Sequence, residues 1–266
     1  MCRHLLAAGF PLNVFDLQTE AMQTLAILGA RATKSPREVA QNSDVVLVMV
    51  TDDAAVRAVV TELVEGAKAG AVIAICSSVH PDTCRDLAAL AAEKHIGVVD
   101  APVARGQRGA EAGDLTIFFG GEKSDVEKTK PVFAAFAKAQ FHMGAVGAGQ
   151  ITKTCNNLLH WSGVVACYET LTLGARLGIA PTDLRAAMLA GSADSRTLRD
   201  LHLIGMVWPH KDMETALELA DANEMPVPLM RAVNELVMKI SAPDLQKLFE
   251  DSNRIGAEQP ESKMSF

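Results

Sequence analysis

Residues 45–76 read VVLVMVTDDAAVRAVVTELVEGAKAGAVIAIC. Two short apolar runs, Val45 to Val50 and Val72 to Ile75, flank a polar turn and a longer Ala- and Val-rich amphipathic run. Apolar runs of strand length, without polar alternation, belong to strands buried on both faces, and the run between them has helical length. The stretch therefore reads as strand, helix, strand, which is the repeating unit of a parallel sheet covered by helices.

Outward from it the pattern repeats. Further strands are expected at Leu12 to Phe15, Val98 to Asp100, Leu115 to Phe119 and Gln140 to Met143. Ser35, Pro36 and Glu38 form a capping-box helix start with proline at the first helical position, and Gly9 and Gly29 stand where helices stop. After Gly144, Gly147 and Gly149 the pattern changes. One long helical run is expected from Gln150 to about Gly178, then helices from Pro181, over Asp212 to Asn223, and over Leu229 to Ile240. Three segments follow: an α/β domain over 1–145, an all-helical one over 146–250, and a polar flexible tail over 251–266. The chain opens inside a helix, Met1 to Ala8, and does not show the strand and glycine-rich turn with which a dinucleotide-binding domain begins. The expectation is a Rossmann-type parallel sheet lacking its first strand.

The chain has 266 residues, a formal charge of −7 and scattered Lys and Arg, so no basic footprint for nucleic acid is present. Its five cysteines, Cys2, Cys76, Cys84, Cys155 and Cys167, form no C-x-x-C pair and no zinc spacing. They read as reduced, mostly buried thiols. With no signal peptide and no apolar run long enough to span a bilayer, a cytoplasmic protein with no membrane partner is expected.

Three groups of residues could carry chemistry, and each has an ordinary alternative. Asp16, after the strand ending at Phe15, could accept both ribose hydroxyls of a dinucleotide, or simply cap a turn. In residues 100–106, DAPVARG, the chain leaves a strand and turns at Gly106 at the ligand-binding edge of the sheet. Arg105 there could grip a carboxylate, phosphate or sulfonate in bidentate fashion, or be a solvated loop arginine. In residues 147–157, GAGQITKTCNN, Lys153 is followed at helical spacing by Asn156, Asn157 and then His160. Such a polar face lines a cleft or faces solvent, and His160, between Leu159 and Trp161, reads more readily as a packing residue than as a catalyst.

These features resemble, in order and register, the β-hydroxyacid (3-hydroxyisobutyrate) dehydrogenases, relatives of 6-phosphogluconate dehydrogenase, from Met1 to about Ala242. Residues 45–56 are similar to the family's strand and loop over the adenosine side of the cofactor. Residues 76–81, CSSVHP, resemble its Ser-Thr-x-x-Pro turn, with Ser78 in the Thr position. Residues 100–106 resemble its substrate motif, 147–157 its catalytic helix, and 211–213, KDM, a Lys-Asp-Leu segment that closes on the active site. The resemblance implies a second domain of the 6-phosphogluconate dehydrogenase C-terminal type, NAD as cofactor with NADP the lesser alternative, and a homo-dimer or tetramer. It implies Lys153 as general acid/base. Asp16, Val50, Thr51, Ala55, Ser78 and Lys211 are implied at the cofactor, and Ser78, Arg105, Gly106, Asn156, Asn157 and His160 at a small anionic hydroxy acid or semialdehyde.

Three departures accompany it. Ala104-Arg105-Gly106 replaces the usual Ser-Gly-Gly, an arginine there resembling the sulfolactaldehyde reductase branch. The connection from Ser192 to Lys211 is short, and the amino-terminal glycines are absent. The reading is an NAD(P)-dependent 3-hydroxyacid dehydrogenase or semialdehyde reductase. The alternatives are a truncated, catalytically silent member that cannot bind cofactor and an imine reductase, against which Lys153 argues.

Overall fold

The computed structural model describes residues 1–250, so the tail expected over 251–266 lies outside the described residues. Residues up to Lys153 form one compact unit and those from Thr154 a second. The first unit runs α1 (Cys2–Ala7), β1 (Asn13–Val14), α2 (Thr19–Ile27), β2 (Arg31–Ala32), α3 (Pro36–Gln41), β3 (Val45–Val48), α4 (Asp53–Gly66) and β4 (Val72–Ile75). It continues through α5 (Pro81–Ala92), β5 (Gly97–Asp100), β6 (Val103–Ala104), α6 (Gly106–Ala112), β7 (Leu115–Gly120), α7 (Lys123–Phe133) and β8 (Ala137–Gly144) to the start of α8 (Ala148–Arg176).

Strand β4 explains the layering. Its four residues are all buried, Ile73 and Ile75 in a cluster with α3, α4 and α5, and Val72 and Ala74 in another with β7 and α7. Side chains of a strand alternate between faces, so a strand covered on both sides must be apolar throughout, which is why this run lacks polar alternation. Truncating Ile73, fully buried, to alanine is expected to cost about 2–5 kcal/mol.

The sheet is not wholly parallel. β3, β4 and β5 pair in parallel, but β7 runs antiparallel to both β5 and β6 and parallel to β8. The seven residues of α6 make roughly 10 Å of helix, enough to turn the chain but short of a full crossover between parallel neighbours. Strand β6, where a loop was expected, and β2, with both residues exposed, carry no apolar run to announce them. Strand β8 is longer than the expected Gln140 to Met143, because its flank pairs with β7 through two register shifts.

The strands also fall into two sheets. β1 and β2 pair in parallel with each other, while β3 begins the six-stranded sheet, and no described strand pairs with its outer edge. Asn13 of β1 donates from Nδ2 to the Asn42 carbonyl at the end of α3, at 2.9 Å, and Phe15 packs on the cluster holding Val46 and Val48 of β3.

The second unit is helical: the rest of α8, α9 (Pro181–Ala190), α10 (Arg196–Asp200), a short 3-10 turn (Leu201–Leu203), α11 (Pro209–Ala222), α12 (Pro228–Val237) and α13 (Ala242–Glu250). Trp161, Val164 and Leu171 of α8 pack with Leu198, Met213, Val233 and Val237 as its core. Among the described residues no helix is long and apolar enough to cross a membrane.

Candidate functional site

The carboxyl ends of β3, β4 and β5 lead into the segments singled out above, and hydrogen bonds join them. At the end of β3, the Val50 amide donates to Ser77 Oγ at 2.8 Å, and that hydroxyl donates to the Val50 carbonyl at 2.9 Å. Thr51 Oγ1 donates to Asp52, whose other oxygen caps α4 by accepting the Ala55 amide at 2.9 Å. The amide of Ala55 is thus engaged with its own helix start. After β4, Ser77 is buried and Ser78 half-buried.

Asp100, at the end of β5, is fully buried. Its carboxylate accepts the amides of Gly147 and Gln150, each at 2.7 Å, at the beginning of α8. Burial raises the Asp100 carboxyl above its usual range, opposed by these backbone donors. The space is filled closely: a Cβ on Gly149 would collide with the Phe118 carbonyl and the Asp100 carboxylate, and one on Gly120 with Asp100. Gln150, 1% exposed, donates from Nε2 to the Ser77 carbonyl at 2.8 Å and accepts the Val79 amide at 3.2 Å. Nearby Cys84 is a buried thiol pushed well up by its burial and by the Asp100 charge. Lys153 follows on the same helix, half-buried.

Two expected residues have other engagements here. Arg105 takes a left-handed backbone conformation, φ +88°, at the start of α6, and its guanidinium forms an ion pair with Asp114. Asp16 accepts the Gln18 amide at 2.8 Å, closing a turn, and among the described residues no donor reaches its second oxygen. Gly106 is exposed beside Arg105, at φ +61°.

Within the second unit, Asn157 is buried and accepts from exposed Asn156 Nδ2 at 3.2 Å. His160 Nδ1 lies 3.2 Å from Thr197 Oγ1, and its ring meets Trp161 at 4.8 Å. Trp161 Nε1 donates to Asp212 at 2.9 Å, which ties the first turn of α11, where Lys211 stands, to α8. Asp100, Gln150 and Ser77 were not singled out from sequence as site residues. They lie inside the motifs at 100–106, 147–157 and 76–81, and no role was read for them there.

Residues 1–145 match the model of the NAD-binding domain of 6-phosphogluconate dehydrogenase. Residues 147–248 match the NAD-binding domain model of NADP-dependent 3-hydroxyisobutyrate dehydrogenase. The chain belongs to the β-hydroxyacid dehydrogenase family. It is 35% identical to the NAD-dependent L-serine dehydrogenase of Pseudomonas aeruginosa over 74% of this chain and 67% of that protein. It is 32% identical to the 2-(hydroxymethyl)glutarate dehydrogenase of Eubacterium barkeri over 89% of this chain and 83% of that protein. The solved structure of Mycobacterium tuberculosis 3-hydroxyisobutyrate dehydrogenase with L-serine shares the fold, with a TM-score of 0.82 and 24% identity over 94% of this chain and 93% of that one. Membership makes this chain an oxidoreductase with an NAD-binding domain, and its fold is α/β in the first unit and helical in the second.

Proposed function

We propose that this family member transfers a hydride between NAD and the hydroxyl carbon of a small 3-hydroxy acid or its semialdehyde, with Lys153 as general acid/base. The observation that carries the reading is the placement of Lys153. It stands on the helix whose first turn is bonded to the ends of β4 and β5, the sheet edge where open α/β folds bind ligands. During oxidation the hydroxyl proton passes to Lys153 Nζ as the carbon gives up its hydride. In reduction the ammonium polarises the carbonyl oxygen and returns the proton.

The residues present fit a dinucleotide. The second carboxylate oxygen of exposed Asp16 is open to ribose hydroxyls, and its charge disfavours a 2′-phosphate. Val50, Thr51 and Ala55 would lie along the adenosine side, with Ser78 and Lys211 toward the nicotinamide. When bound, that ring supplies the hydride acceptor or donor. Arg105 and Gly106 would hold the substrate's anionic group, and Asn156, Asn157 and His160 would orient the substrate and Lys153. The relatives' own substrates, L-serine and 2-(hydroxymethyl)glutarate, are both small hydroxy acids and support this class. Exposed Leu159 and Leu173 on α8, with Leu177 just after it, favour a homo-oligomer.

Turnover against a panel of hydroxy acids and semialdehydes with NAD and NADP, alongside calorimetry with each nucleotide, tests the reading. NAD-linked turnover of a 3-hydroxy acid or its semialdehyde is expected. Absence of both turnover and nucleotide binding would overturn it in favour of a silent family member.

A further inference from the structure

We propose that Asp100 and Gln150 are positioning residues, which lock the Ser77–Val79 turn to the first turn of α8 and thereby set where Ser78 and Lys153 stand. The proposal rests on the functional reading above, in which Ser78 meets cofactor and substrate and Lys153 moves the proton.

The first observation is where α8 finds its cap. The amides of a helix's first turn lack partners within the helix, and the residue just before the helix ordinarily supplies one. Here that residue is Gly147, which has no side chain. The acceptor comes instead from Asp100, 47 residues away at the end of β5, and both of its oxygens are used. A local Ser or Asp would cap the helix without burying a charge, which is costly. What the distant carboxylate adds is register between strand and helix. Gly120 and Gly149 clear its path, since a Cβ at either would strike it.

The second observation is the side chain of Gln150. Its amide is used in both directions on one turn, donating to the Ser77 carbonyl at 2.8 Å and accepting from the Val79 amide at 3.2 Å. The Val79 amide can only donate and the Ser77 carbonyl can only accept, so the chemistry itself fixes the orientation of the amide. Ser78 lies between these two anchors. Ser77 then passes the connection to Val50 through its hydroxyl. The ends of β3, β4 and β5 and the helix carrying Lys153 are thus one hydrogen-bonded piece. Lys153 is three residues, or about one helical turn, beyond Gln150, so a change in the seating of Gln150 is transmitted to it directly.

Gln150→Leu and Asp100→Asn in the full chain test this by three measurements: amide hydrogen exchange, the labelling rate of Lys153 by trinitrobenzenesulfonate relative to Lys94, and steady-state kinetics. For Gln150→Leu we expect exchange in residues 77–80 to rise roughly tenfold or more while β4 stays protected. The relative labelling of Lys153 should change, and kcat should fall about tenfold to hundredfold with the substrate KM nearly constant, as for a misplaced catalytic group. Asp100→Asn, which retains one acceptor oxygen, should show the same pattern more weakly in residues 147–153. Unchanged Lys153 labelling with exchange raised evenly over β3, β4 and β5 would overturn the proposal and leave only a stability role. So would wild-type behaviour of both variants. Should Gln150→Leu fail to fold, Asp100→Asn decides by the same three measurements. If the unaltered chain shows neither turnover nor nucleotide binding, the dehydrogenase reading fails separately, because exchange and labelling require neither.

Discussion

The Arg105 guanidinium is held by the Asp114 carboxylate, and the two side chains are only 26% and 16% exposed. Lys138 approaches the same carboxylate at 3.8 Å, so Asp114 has a second cation at hand when Arg105 turns to an anion. Arg105→Ala is expected to raise KM for the anionic substrate about tenfold to hundredfold, the range for a charge-assisted hydrogen bond. Asp114→Asn should lower KM by releasing the guanidinium. If both variants keep the wild-type KM, Arg105 is a partner for Asp114 and nothing more.

Lys153→Ala should reduce kcat by about two to four orders of magnitude, as for removal of a positioned acid or base, with nucleotide affinity measured by calorimetry little changed. A variant retaining near wild-type turnover would remove Lys153 from the chemistry.

NAD should be used in preference to NADP. The Asp16 carboxylate stands exposed at the end of β1, and Leu17 and Gln18 offer no cation for a 2′-phosphate. Asp16→Ala is expected to weaken NAD and to narrow the ratio of kcat/KM between the two nucleotides. An unchanged ratio would leave Asp16 as the turn residue that its bond to the Gln18 amide already makes it.

Burial raises the Asp100 carboxyl above its ordinary value, and the sign of the consequence follows. As pH rises, the unfolded chain loses this proton first, so the group's contribution to stability is full below the unfolded value and is lost as pH passes the folded one. Urea unfolding of wild type and Asp100→Asn over the weakly acid range should therefore show the wild type losing ground to the variant as pH rises. The opposite slope would mean that the Gly147 and Gln150 amides outweigh burial at this carboxylate.

Much of this protein could be read from local pattern. The apolar runs at 45–50 and 72–75, the unbroken helical stretch after the glycines at 144–149, and the motif holding Lys153 are properties of neighbouring residues, and periodicity reports them directly. The five short motifs likewise pointed to the family without any coordinates.

Other features depend on residues far apart in the chain, and local pattern is silent about them. Strands β2 and β6 exist only because a partner strand supplies their hydrogen bonds, and the direction of β7 was decided by how little chain α6 provides. From sequence Arg105 was a cation at a strand end; the fold gave it Asp114. Asp100 read as the last residue of a strand, and only folding brought it to the amides of Gly147 and Gln150. A buried carboxylate must find donors wherever the chain can bring them, and which donors arrive is settled by packing, not by spacing along the sequence.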